Sequence, residues 1–258
     1  MGTCSKCFSM LNVYWKYTRK WFLALVAGMA ALELGLLLYY VNGGWRNMYI
    51  VEGDGRIWPM EYSGALKSIR LEYIVPVLLV VFMLFLVLSY LSFSNKNTSI
   101  LTHRLPISSK MQILMQIVHS LIMLLSFWLI QFLIIIVGFL IYRYSAPDGL
   151  AIDLQIFKVF WYPGFLRELY PFLNIGFAVT WLICLLNLSI LPSCLIHRIR
   201  IKERPEIGVD IVIVIILIAL VYISRTNAEK KSLCEMIFLF LFATEMIWSL
   251  FIQEYIKN

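Results

Sequence analysis

His103-Arg104-Leu105-Pro106-Ile107-Ser108-Ser109-Lys110 is a short basic break between two of the longest apolar runs in the chain. Proline pushes the residue before it out of helical conformation and is itself tolerated in a first helical turn, so Leu105-Pro106 closes one segment and opens the next. The break is therefore a short helical corner between two membrane spans. Outward from it the chain stays apolar: 61% of its residues are hydrophobic, 14% are charged and the mean hydropathy is +0.83. Soluble domains carry about 25% charged residues, so this composition belongs in a bilayer.

A helical span takes about twenty apolar residues, and six stretches approach that length, at about 21–41, 73–93, 111–142, 171–195, 207–224 and 233–253. The expected fold is all-α: a single transmembrane domain over residues 1–258 with six transmembrane helices. Little chain remains for a soluble domain, and no GxxxxGK[ST] stretch is present to cradle nucleotide phosphates. The first apolar run is too long for a signal h-region and is read as a mature span. The net charge of +7 is spread over short turns rather than one face, which points to anionic lipid headgroups as partners and not to nucleic acid. Neither long polar loop contains any of the five cysteines, so no disulfide framework is expected.

In residues 1–20, Met10, Leu11, Val13, Tyr14 and Tyr17 alternate with Lys6, Lys16, Arg19 and Lys20. An amphipathic basic segment of this kind lies in the interface plane, as a helix leading into the first span. Within that span Ala24, Gly28, Ala31 and Gly35 share a helical face of small residues that lets two helices approach closely. Glu33 projects from the opposite side, where an ionised carboxylate facing lipid is costly. Met48-Tyr49-Ile50-Val51 and Arg56-Ile57-Trp58 flank a turn-like Glu52-Gly53-Asp54-Gly55, a pattern for a short hairpin in a polar loop reaching about Glu72. The second span opens with Pro76 in its first turn.

The third run is longer than a bilayer needs, so it tilts or projects. Gln112, Gln116, His119 and Ser126 lie on one of its faces, directed at protein or a cavity. The following loop carries Phe157, Phe160, Trp161, Tyr162, Phe165 and Tyr170, as expected of an aromatic segment at headgroup level. Gly176, Thr180, Cys184 and Asn187 form a polar and small-residue seam in the fourth span, and Glu245 and Ser249 lie one turn apart in the sixth. Basic residues divide almost evenly between the two sets of loops, but one set is shorter and denser in them, which places both termini in the cytoplasm.

Catalytic and metal sites are not expected. No HExxH occurs, no Cys and His stand at zinc spacing, and Cys4-Ser5-Lys6-Cys7 is a lone CxxC in a solvated tail. His119 and Ser120 are sequence neighbours that point to different helix faces, so no serine dyad is expected of them. Glu33 and Glu245 leave two readings open, a proton or cation relay and separate structural hydrogen bonds.

The amphipathic basic start, the first span and Leu105-Pro106-Ile107-Ser108 between spans two and three resemble the permease subunits of type-2 ABC exporters, in layout over nearly the whole chain. In that family the turn is a short coupling helix between helices two and three that docks on a separate ATPase. The resemblance assigns coupling to Arg104, Leu105, Pro106, Ile107, Ser108 and Lys110. It implies ATPase subunits that carry ATP and Mg, with no cofactor in this chain, and a second permease subunit, identical or different. It also implies a bacterial multi-pass cell-membrane protein that exports a peptide or amphipathic small molecule, as in antimicrobial-peptide resistance. The path would run past Glu33, Gln116, His119, Ser126, Thr180, Asn187, Glu245 and Ser249. Two departures from the family pattern are Arg225 to Ser232, too short for the usual re-entrant hairpin, and Ser109, where arginine is frequent. A proton-coupled carrier using Glu33 and Glu245 and a non-transporting scaffold or immunity protein are the alternative classes.

Overall fold

The computed structural model describes residues 3–43, 49–51, 57–59, 61–95, 109–145 and 155–161, with 166, 169, 170, 178, 181, 182, 185, 186, 188–190, 192 and 193. Among them the chain is nearly all helical. The helices are α1 (Thr3–Asn42), α2 (Tyr62–Ser68), α3 (Leu71–Asn95), α4 (Ser109–Ser145) and α5 (Gln155–Trp161). Three of them, over Cys7–Asn42, Leu71–Tyr90 and Met111–Ser145, are long and apolar enough to cross a membrane. The expected fifth and sixth spans and most of the fourth lie outside the described residues, although those described between 181 and 193 are helical.

α1 departs from the expected break between an interfacial helix and a first span: it is one helix of 40 residues. At 1.5 Å per residue it is about 60 Å long, twice the roughly 30 Å of a hydrocarbon core. The reason is local. From Lys16 to Leu25 there is neither glycine nor proline, and the Thr18 hydroxyl folds back to donate to the Tyr14 carbonyl at 3.0 Å, so nothing interrupts the backbone ladder. Met10, Tyr14, Thr18, Phe22, Met29, Glu33, Leu37 and Val41 form one buried face along its length.

The hairpin is present as β1 (Tyr49–Val51) paired antiparallel with β2 (Ile57–Pro59), in the register Tyr49 to Pro59, Ile50 to Trp58 and Val51 to Ile57. A short helix follows the hairpin. α2 buries Tyr62, Ala65 and Leu66 at the spacing of one helical face. It ends in a turn through Arg70, whose φ of 56° is left-handed. The Arg70 carbonyl then accepts from the Tyr73 and Ile74 amides and starts α3. Pro76 consequently lies inside α3, which begins at Leu71, rather than in the first turn.

Two compact units divide the chain: Met1–Ser89 with Ile122–Trp181, and Tyr90–Leu121 with Leu182–Asn258. In the first unit, Phe82 of α3 stacks on Phe127 of α4 at 5.0 Å and meets Phe22 of α1 edge-on at 6.0 Å. Its main core joins the end of α1 (Leu37, Val41), α2, the start of α3 (Leu71, Val75), the end of α4 (Ile135, Phe139, Tyr142) and Val159 of α5. Of the aromatic segment expected at headgroup level, the described Phe160 and Tyr170 turn inward. Phe160 and Tyr170 pack on Phe132 at 5.5 and 5.3 Å, the Trp128 indole donates to the Leu169 carbonyl, and the Tyr170 hydroxyl donates to the Trp128 carbonyl. Phe157, at 67% exposure, faces out, while Tyr162, Phe165 and the Trp161 side chain lie outside the described residues. These reciprocal bonds satisfy polar atoms that would otherwise need water or headgroups.

Glycine matters at one point on α4. A Cβ at Gly138 would stand 2.8 Å from the Tyr62 hydroxyl and 3.1 Å from Leu37 Cδ2, while that hydroxyl donates to the Ile135 carbonyl at 2.7 Å. Tyr62→Phe is expected to cost about 1 kcal/mol for the lost hydrogen bond. Gly138→Ala gains about 1 kcal/mol of helix propensity but forces an overpacked contact worth about 1–3 kcal/mol, so it destabilises on balance. Because Tyr62→Phe removes the hydroxyl that the methyl would meet, the double variant is expected to be more stable than the sum of the two losses. Denaturation midpoints of the four proteins in detergent micelles measure this coupling.

Candidate functional site

Two polar sites are built into the apolar helices, one in each unit. In the first unit, α1 presents Glu33 and α4 presents Gln131, which are 3% and 1% exposed. Gln131 Nε2 donates to Glu33 Oε2 at 2.7 Å. The other oxygen of each side chain, Glu33 Oε1 and Gln131 Oε1, is buried and has no hydrogen-bond partner among the described residues. Both residues fall on faces otherwise lined by Met29, Leu37, Ile134 and Ile135. Such a face positions a carboxyl away from lipid but offers it few donors. The neighbouring phenols of Tyr62 and Tyr170 are already donating to the Ile135 and Trp128 carbonyls. Burial pushes both phenols above their ordinary range, with the Glu33 carboxyl acting in the same direction, so they remain protonated donors at every physiological pH.

In the second unit the site centres on Tyr90, near the end of α3. Its Oη lies 2.6 Å from His119 Nδ1 and 2.9 Å from Ser120 Oγ, and it donates to the Gln116 carbonyl at 3.3 Å. The Tyr90 ring meets the His119 ring edge-on at 5.8 Å. Tyr90, Gln116, His119 and Ser120 are all buried. A single phenol thus gathers two sequence neighbours that were expected to diverge around the helix, and a tyrosine long enough to reach across the groove between two helices is what makes this possible. The phenol stands between the serine and the imidazole. With every member buried, the cluster has the form of a helix-to-helix tie rather than of an exposed nucleophile and base.

Of the other residues singled out in the sequence, Ser126 donates to the Ile122 carbonyl of its own helix, and Gln112 is half-buried. Ala24, Gly28, Ala31 and Gly35 are exposed, and nothing lies within 4 Å of a Cβ placed on Gly28 or Gly35. Among the described residues, no other helix comes close to this face. The opposite face is buried instead, because it carries Glu33, and a carboxyl turned to lipid costs several kcal/mol more than a poorly packed glycine. Arg104, Leu105, Pro106, Ile107, Ser108, Thr180, Asn187, Glu245 and Ser249 lie outside the described residues, and Lys110 is in the first turn of α4. Among the described residues no three of His, Cys, Asp and Glu come together as metal ligands.

Sequence reasoning missed Gln131 and Tyr90. Gln131 was visible as the lone amide between Trp128 and Leu140. Tyr90 carries no comparable mark, since an aromatic near a span's end reads as an interface anchor. Comparison with protein-family models, with curated proteins and with solved structures finds no match to this chain.

Proposed function

We propose that this chain is the permease subunit of an ATP-driven exporter resembling the type-2 ABC family, with six spans, both termini in the cytoplasm, and a separate ATPase that binds ATP and Mg. The observation that carries this reading is the Leu105-Pro106-Ile107-Ser108 turn, flanked by Arg104 and Lys110, between two helices as long and apolar as α3 and α4. The Tyr90 tie supports it mechanically. It joins the last turns of α3 to a point about two to three turns into α4, so a displacement at the turn is shared by both helices instead of splaying them. α4, with 37 residues and about 55 Å of length, extends well beyond the hydrocarbon core and gives that displacement a lever.

In this reading the exposed Ala24, Gly28, Ala31 and Gly35 face receives a second permease subunit, and the cargo is a peptide or amphipathic small molecule of the antimicrobial class. Charge reversal at the turn, Arg104→Glu with Lys110→Glu, is expected to reduce co-purification of the ATPase at least tenfold while leaving the helical content of the chain unchanged. Undiminished co-purification would remove the turn from the docking site. A proton-coupled carrier is the second reading, favoured by the burial of Glu33 against protein. It requires transport that follows a proton gradient and ignores ATP.

A further inference from the structure

We propose that Glu33 and Gln131 form a membrane-embedded proton-binding site, in which one proton on Glu33 Oε1 closes a cyclic acid–amide pair that locks α1 to α4. The pair already has one arm, from Gln131 Nε2 to Glu33 Oε2 at 2.7 Å. Its two remaining oxygens, Glu33 Oε1 and Gln131 Oε1, are both buried acceptors without a donor among the described residues, and a structure rarely tolerates two such orphans in one pair. A carboxylic acid and a primary amide are complementary: the amide N–H meets one acid oxygen, and the acid O–H meets the amide oxygen. A single proton therefore satisfies both orphans at once. It comes from water as hydronium, forms one O–H bond and involves no change of oxidation state.

A metal cation is a poorer fit to this donor set. It needs about six oxygens, and the nearby Tyr62 and Tyr170 hydroxyls are turned to the Ile135 and Trp128 carbonyls. Among the described residues, the titratable groups that sense Glu33 are these same two phenols, on α2 and on the segment ending at Tyr170. The faces of α1 and α4 beside it contribute only apolar side chains. Both phenols stay protonated at physiological pH, so the lock responds to the carboxyl alone. The site stands whether or not the chain couples to an ATPase.

Infrared difference spectroscopy of the full chain in lipid vesicles, wild type against Glu33→Gln, tests the proposal. At neutral pH the difference is expected to contain the C=O stretch of a hydrogen-bonded, protonated carboxyl group. That band should move to higher frequency in Gln131→Leu, where the acid loses its partner. A pair of carboxylate bands in its place, above all one that shifts when sodium replaces potassium, would overturn it. Thermal unfolding gives a second readout. An amide at position 33 makes both arms without a proton, so Glu33→Gln should keep its stability as the solution is made alkaline, whereas the wild type loses stability as Glu33 gives up its proton. Parallel pH profiles for the two proteins would also overturn the proposal.

Discussion

Replacing Gln131 by leucine is expected to destabilise the chain by about 2 kcal/mol, among the largest effects of any single substitution in the first unit. The leucine matches the amide in size, so packing around it changes little. What is lost is the donor to Glu33 Oε2, which leaves a 3%-exposed carboxyl group with no hydrogen bond in an apolar setting. An orphaned buried polar group costs about 1–3 kcal/mol, whereas interhelical hydrogen bonds in membrane proteins couple by only about 0.6 kcal/mol on average and about 1.7 at most. The orphan therefore outweighs the bond. The double variant Glu33→Leu with Gln131→Leu removes both partners and is expected to recover most of the loss. Denaturation midpoints for the two single variants and the double variant decide this, and a double variant as unstable as the sum of the singles would contradict it.

Tyr90→Phe is expected to cost a similar amount in the second unit and to add a functional defect. One oxygen there serves His119 Nδ1, Ser120 Oγ and the Gln116 carbonyl. The helix ladder still satisfies the carbonyl, but the bonds to the imidazole and to the serine hydroxyl are lost. At about 1 kcal/mol or more per neutral hydrogen bond, the loss is about 2 kcal/mol. Under the proposed mechanism the ATPase should still bind Tyr90→Phe, because the turn itself is intact. Transport per ATP hydrolysed should fall several-fold, because α3 and α4 no longer move together. Vesicle uptake measured beside phosphate release separates the two quantities. Equal losses of both, or neither, would show that the tie carries no force.

The three long helices were legible as apolar runs, and the hairpin as two short β-rich stretches around a glycine turn. The errors have physical causes. The basic first twenty residues read as a separate interfacial helix because composition changes near Trp21, but a change of composition leaves the backbone ladder intact, and α1 runs on through it. α2 was hidden by its length and by Ser63 and Gly64, although Tyr62, Ala65 and Leu66 already stood at helical spacing. The aromatic loop reads as a headgroup-level segment, and its spacing does not disclose that Trp128 and Tyr170 find hydrogen-bond partners in each other's backbone neighbourhood. Glu33 was recognised as needing a partner. Its identity was out of reach, because that depends on which faces of two helices, distant in sequence, come together.

The central claim is that this chain works as the membrane half of an ATP-driven machine, and purification from the native membrane in mild detergent, with mass spectrometry of what co-elutes and an ATPase assay on the pool, tests it most directly. The account predicts a nucleotide-binding subunit in stoichiometric amount, with ATPase activity, lost when Leu105 to Lys110 are replaced. A chain that elutes alone, with no ATPase activity in any fraction that contains it, would contradict the account.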